Sequence, residues 1–160
     1  MALPIYIEIE GTKQGKFEGG CKRKGREKMI EGIQAHHGVD VPTDRMSGKI
    51  TGNRVHGPFT FTKEIDKASV PILQALVTGE TIKTMTVHFW HITPEGKEVE
   101  MYNIVLEDAQ LCSVNTVLPN VKQEGQLNPM EEVSLRYGTI TWTFLDGNLT
   151  VTDSWLTPVA

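Results

Sequence analysis

Nearly every apolar run in this chain alternates with period two, and one stretch alone, Ser69 to Gly79 (SVPILQALVTG), spaces its apolar residues like a helix. That contrast restricts the fold to a β structure carrying one helix. Ile72, Leu73, Leu76 and Val77 fall within ~140° of one another at ~100° per residue, which predicts one buried stripe with Gln74 and Thr78 outside. Pro71 fits the first turn, where its missing N–H loses no partner, leaving Ser69 or Val70 as the cap, and Gly79 supplies the left-handed residue that ends the helix. Burying four such side chains contributes ~1.5–3 kcal/mol each, so packing holds this short helix as a plug on the sheets.

The strands follow from alternation and punctuation. Pro4 to Glu10 puts Ile5, Ile7 and Ile9 on one face and Tyr6, Glu8 and Glu10 on the other. Gly11 to Gly20 reads as a mobile loop, and Glu27 to His37 as a strand in which Gly32 marks a bulge or a close backbone approach. Gly38 to Pro58 is a long loop with a weak strand signal near Lys49 to Thr51, and a loop of that length inside one domain is usually functional. Phe59 to Ile65 resumes period two. Lys83 to Ile92, the turn Thr93-Pro94-Glu95-Gly96 and a return from Glu98 form a hairpin, and the return runs on to Leu118 with a bend near Glu107-Asp108 or Cys112. Beyond a polar loop from Pro119 to Pro129, Glu132 to Leu145 is joined through Asp146-Gly147 to Leu149 to Trp155. Eight or nine strands around one helix predict a mainly β fold, a small antiparallel barrel or tight sandwich of two packed sheets.

At 160 residues and 39% hydrophobic content the chain reads as one domain, 1–160. A formal charge of −4 gives no global reason to expect nucleic acid or membrane insertion. The N-terminus has no basic region before an apolar run, so the chain reads as made without a signal peptide, in the cytoplasm. Cys21 and Cys112 lack metal-ligand spacing and are expected as reduced thiols.

Catalytic, cofactor and metal sites are not indicated. His88 and His91 fall on opposite faces of a strand, as do His36 and His37, so neither pair can chelate. Gly11 to Phe17 has three residues rather than four between its glycines, and Phe17 where a phosphate loop needs a hydroxyl. Glu98 and Glu100 share a strand face, which reads as solvated surface. The run Lys22, Arg23, Lys24, Arg26 and Lys28, with Glu27, nets +4 (five basic less one acidic). It is read either as a solvated strand entrance or as a basic strip meeting an acidic neighbour or cargo.

Two ordered blocks carry a family pattern. The first is Pro42-Thr43-Asp44, Gly48-Lys49, Thr51-Gly52, Arg54, His56, Pro58-Phe59 and Phe61 through Asp66; the second is Leu135-Arg136-Tyr137, Ile140 through Thr143, Asp146-Gly147 and Asp153-Ser154-Trp155. Together they resemble the haemolysin-coregulated protein family, Hcp, the tube protein of bacterial type VI secretion. The resemblance implies a β-barrel flanked by one helix, homohexameric rings stacked into a hollow tube inside a contractile sheath, a trimeric spike at the tip, and export with effectors, some held in the lumen. It implies a protein that is cytoplasmic before firing and secreted afterwards. Family loops at the position of the long loop reach the adjacent ring, which makes Thr43, Asp44, Arg45, Lys49, Arg54 and His56 the expected stacking residues, with charges of both signs suited to a head-to-tail contact. A free-standing secreted effector or ligand-binding barrel on the same fold is the alternative. The Gly11–Lys28 segment and the loop from Asn120 to Asn128 depart from the pattern.

Overall fold

The computed structural model describes residues 2–155. Its strands are β1 (Ile5–Gly11), β2 (Gly15–Lys16), β3 (Ile30–His36), β4 (Val39–Asp40), β5 (Val55–His56), β6 (Phe59–Glu64), β7 (Thr81–Ile92), β8 (Glu98–Val117), β9 (Met130–Arg136), β10 (Thr139–Phe144) and β11 (Leu149–Ser154), with helix α1 (Ser69–Thr78) between β6 and β7. The order β8-β7-β1-β3-β6-β9 returns to β8, so six antiparallel strands close a barrel, and β10 and β11 extend the sheet beyond it.

Closure depends on β8. Its first half pairs with β10 and its second half with β9, while β7 runs along the other edge. Where one bend was expected at either of two places, the strand is irregular at both: Asp108 has φ 52°, and the register shifts between Leu111 and Ser113, around Cys112. The segment from Glu132 to Leu145 is two strands rather than one, because the chain leaves β8 at Tyr137-Gly138 and Gly138 N–H returns to the Glu107 and Asp108 carbonyls.

Ile7, Ile30, Phe61, Ile72, Met85, Leu106 and Leu135 fill the interior. Gly32 is a point of close approach: a Cβ there would lie 2.7 Å from Ile5 Cγ1, and the ladder to β6 slips between Gly32 and Gln34. The loop after β1 is not free. β2 turns back on β1, Phe17 is buried, and the carboxylate of Glu80 accepts the backbone N–H groups of Lys13 and Gln14.

The helix differs from its expected packing. Ala68, Ser69, Ile72 and Ala75 are buried and Leu76 is half-buried, whereas Leu73 and Val77 face outward with Val70. Small residues let the helix lie close to β8, which rotates the stripe toward Ala75 and leaves two of the four expected anchors in solvent. The cap also differs. Asp66 accepts the Ala68 N–H, and Ser69 Oγ, instead of capping, sits in a buried cluster where Lys63 Nζ lies 2.6 Å from Glu131, 2.8 Å from Asp66 and 3.0 Å from Ser69. Gly79 closes the C-terminus at φ 67°, as its position implies.

Candidate functional site

The long segment between β3 and β6 is a ribbon. β4 pairs with β5, a bridge joins Thr43 to Ile50, and the arms project from the barrel to a tip at residues 44–49. Its base is clasped to the β10–β11 hairpin by a linear chain of side chains. Arg54 Nε and Nη2 donate to the two oxygens of Asp153 at 2.5 Å each. His56 Nε2 donates to Asp153 Oδ2 at 2.7 Å, which leaves Nδ1 to accept the Tyr137 hydroxyl at 2.6 Å. Tyr137 in turn accepts from His37 Nε2 at 2.7 Å. The carboxylate at one end can only accept, so the line of hydrogen bonds runs from Asp153 through His56 and Tyr137 to His37.

Packing seals this chain. His56 is 2% exposed, stacks with Trp155 at 5.9 Å and Trp142 at 6.5 Å, and meets Tyr137 edge-on. The Arg54 guanidinium, with help from His56 and the Ser154 N–H, holds the Asp153 carboxyl down at about 2. Burial pushes the Tyr137 phenol well above its ordinary value, and burial together with the neighbouring His56 and His36 lowers His37. An Asp–His–Tyr line resembles a proton relay, but Tyr137 is 4% exposed and its phenol is held protonated. What the arrangement does is fasten.

The six expected stacking residues therefore divide in two. Arg54 and His56 are spent at the base, contrary to the expectation that they reach outward. Thr43 keeps the arms paired, and Asp44 builds the tip: its carboxylate accepts the Met46 N–H at 2.9 Å and the Ser47 hydroxyl at 2.7 Å. Only Arg45 and Lys49 of the six present charge outward there, beside Met46, which is 97% exposed.

The basic strip also divides. Arg26 is buried, its guanidinium stacked on Tyr6 at 4.6 Å and Trp90 at 4.1 Å and bonded to Glu98, which explains why Tyr6, expected on the outer face, is 1% exposed. Arg23 bonds Tyr6 and Glu98, and Lys28 pairs with Glu18. Lys22, Arg23, Lys24 and Lys28 remain exposed, Arg23 and Lys28 each beside a carboxylate, so Arg26 is the one member of the run drawn into the interior. His88 bonds Glu8 and Glu100 while His91 lines a separate groove, so their rings do not converge, and among the described residues no group of His, Cys, Asp and Glu is arranged to hold a metal.

The clasp joins the two blocks that carry the family pattern: Arg54 and His56 from the first meet Tyr137, Trp142, Asp153 and Trp155 from the second. The model of the family described as type VI secretion system effector, Hcp, matches residues 6–144. The chain belongs to the Hcp family. It is 33% identical over 171 residues to the major exported protein of Pseudomonas aeruginosa, covering 100% of this chain and 99% of that one. Among solved structures it is similar to Hcp1 of E. coli EAEC 042, with TM-score 0.86, 37% identity and coverage of 96% and 99% of the two chains. It is also similar to the secreted protein Hcp3 of Pseudomonas aeruginosa, with TM-score 0.81, 27% identity and coverage of 97% and 99%. In this Hcp chain, sequence reasoning named most clasp residues without their purpose and missed His37, which the His36-His37 pair flagged only as a rejected chelate. Lys63 and Glu131 were likewise missed as a buried pair. The signal was a lysine at the inward phase of Phe59-Phe61-Lys63.

Proposed function

We propose that this Hcp protein is a structural subunit of the type VI secretion inner tube: six copies form a ring, rings stack into a hollow tube within the contractile sheath behind a trimeric spike, and the tube leaves the cell with effectors, some chaperoned in its lumen. The observation that carries this reading is the distribution of exposed apolar side chains. Met46 and Ile50 on the ribbon, Val70 and Val77 on the helix, and Leu149 and Val151 on the edge strand are 97%, 72%, 71%, 78%, 67% and 63% exposed. Such residues on several sides of one small barrel suit a subunit surrounded by copies of itself. The edge of β11, unpaired among the described residues, supports the same reading, because an unpaired strand edge is a template for a neighbour.

Secretion is supported by the exported relative, and the cytoplasmic stage follows from a tube that is loaded before contraction. The test is export. An epitope-tagged chain should appear in the medium of cells with an intact sheath and be retained in an otherwise identical strain lacking sheath protein. Equal release from both strains would favour the free-standing secreted barrel instead.

A further inference from the structure

Neither the clasp nor the tube reading uses the basic run from Lys22 to Lys28, which lies in the Gly11–Lys28 segment that departs from the family pattern. The run forms a closed turn. Cys21 N–H donates to the Met29 carbonyl at 3.1 Å, Lys28 N–H to the Cys21 carbonyl at 2.9 Å and Arg26 N–H to the Arg23 carbonyl at 2.9 Å, with Gly25 at φ 84°. Two arginines pin this turn to the barrel. The Arg26 side chain, 7% exposed, stacks on Tyr6 and Trp90 and bonds to Glu98. The Arg23 side chain, 48% exposed, donates to the Tyr6 hydroxyl at 3.1 Å and reaches the other Glu98 oxygen at 3.2 Å. The turn thereby presents Lys22, Arg23 and Lys24 in succession on the outside.

The turn is short of acceptors. Both oxygens of Glu98 are taken by the two arginines, Glu27 accepts the Gly25 N–H, and Glu18 pairs with Lys28. Beneath it, two buried donors, Arg26 Nη1 and Trp90 Nε1, have no acceptor among the described residues. Burying a guanidinium with an unmet N–H costs stability, and a turn that met only water would have no return for that cost. What Arg26 supplies is position, since it fixes three adjacent cations above a positive interior. An arginine already held in place binds a carboxylate with less loss of rotamer freedom than a mobile one. We propose that the Lys22–Lys24 turn is a docking site for a short acidic segment of another protein, whose carboxylates meet Lys22, Arg23 and Lys24.

Charge limits the size of that partner. The run from Lys22 to Lys28 nets +4 on a chain of −4, so the rest of the protein carries −8 (−4 less +4). At physiological ionic strength a charge acts over about 8 Å. Glu18, Glu27 and Glu98 bond to the turn, and Glu31 acts on Arg23, so acids bracket the cations closely. A long polyanion, such as duplex DNA or an anionic bilayer, would meet those acids and the negative remainder of the surface. A few carboxylates on a short segment fit within the turn itself. The site is complete in one copy and so stands apart from the tube reading.

The test titrates fluorescein-labelled hexaglutamate with the full chain and reads fluorescence anisotropy at low and at physiological salt. Binding should saturate and should weaken as salt rises. Lys22→Glu with Lys24→Glu should weaken it at least tenfold at an unchanged melting temperature, because both side chains are exposed. Lys67→Glu with Lys122→Glu makes the same change in net charge at exposed lysines elsewhere and should leave affinity within about twofold. No saturable binding by the unmodified chain, or equal weakening by the two double variants, would overturn the site. Tighter binding of duplex DNA or of phosphatidylserine vesicles than of hexaglutamate would overturn an acidic protein segment as its partner. Each readout is independent of whether rings or stacks form, so failure here leaves the tube reading standing.

Discussion

His56 and Asp153 are 97 residues apart in the chain and 2.7 Å apart in the fold, and through that hydrogen bond the ribbon becomes part of the barrel. The clasp ties the base of the ribbon to the β10–β11 hairpin, so it bears on whether the tip is presented in one orientation or many. His56→Ala removes one of the two hydrogen bonds at the Tyr137 hydroxyl and one of the two at Asp153 Oδ2, and each lost bond costs about 0.5–1.5 kcal/mol. The expected outcome is a lower midpoint in urea and faster tryptic cleavage after Arg45 and Lys49. Unchanged cleavage would mean that the ribbon is held elsewhere.

Lys63 and Glu131 form a buried ion pair, at 0% and 2% side-chain exposure. Removing one member strands the other, so Lys63→Met alone should destabilise by about 3–5 kcal/mol. The double change Lys63→Met with Glu131→Leu should recover most of that loss. Chemical denaturation of the two variants checks it, and equal loss in both would assign the effect to packing rather than to charge.

The clasp makes stability depend on pH in a defined direction. The His37 value is lowered in the folded state, so the unfolded chain binds its proton first and stability begins to fall as pH drops below about 6.5. Asp153 is also lowered, to about 2 from 3.8, so its contribution is complete above about 4 and is lost between there and about 2. Melting temperature against pH should therefore decline through two acid ranges in the wild type. Asp153→Asn should be less stable at neutral pH and lack the lower step; a lower step that persists would place that titration on other carboxyls.

On the helix, inward and outward residues should behave oppositely. Ile72→Asp puts a charge at a fully buried position and should prevent folding, while Val77→Lys, at 78% exposure, should shift the single-copy stability by no more than about 0.5 kcal/mol. Circular dichroism separates the two outcomes, and equal damage from both would restore Val77 to the core.

The helix also marks where legibility ended. Its bounds could be read from Pro71 and Gly79 because those residues act through their own backbones, whereas the buried stripe depends on how closely the helix approaches β8. Alanine at 75 permits an approach that periodicity cannot weigh. The barrel strands, and a bend in β8 near Glu107-Asp108 or Cys112, followed from alternation and local breakers. Its closure did not, because the pairing of one strand with both β9 and β10 is set by partners far along the chain, such as Gln110 with Arg136 and Tyr102 with Phe144. At the site, the long loop stood out by length and charge, yet which charges reach outward depended on long-range partners: Arg54 and His56 are turned inward by Asp153, and Asp44 by its own turn. Arg26 is the same lesson in the basic run, buried by the two aromatic rings of Tyr6 and Trp90.

Native mass spectrometry of the purified chain tests most directly whether these exposed surfaces exist to be covered by copies of the same protein. The account predicts a dominant species of six copies of the 17.8 kDa chain at micromolar concentration, with multiples of six as concentration rises. A single 17.8 kDa species at every concentration would contradict it.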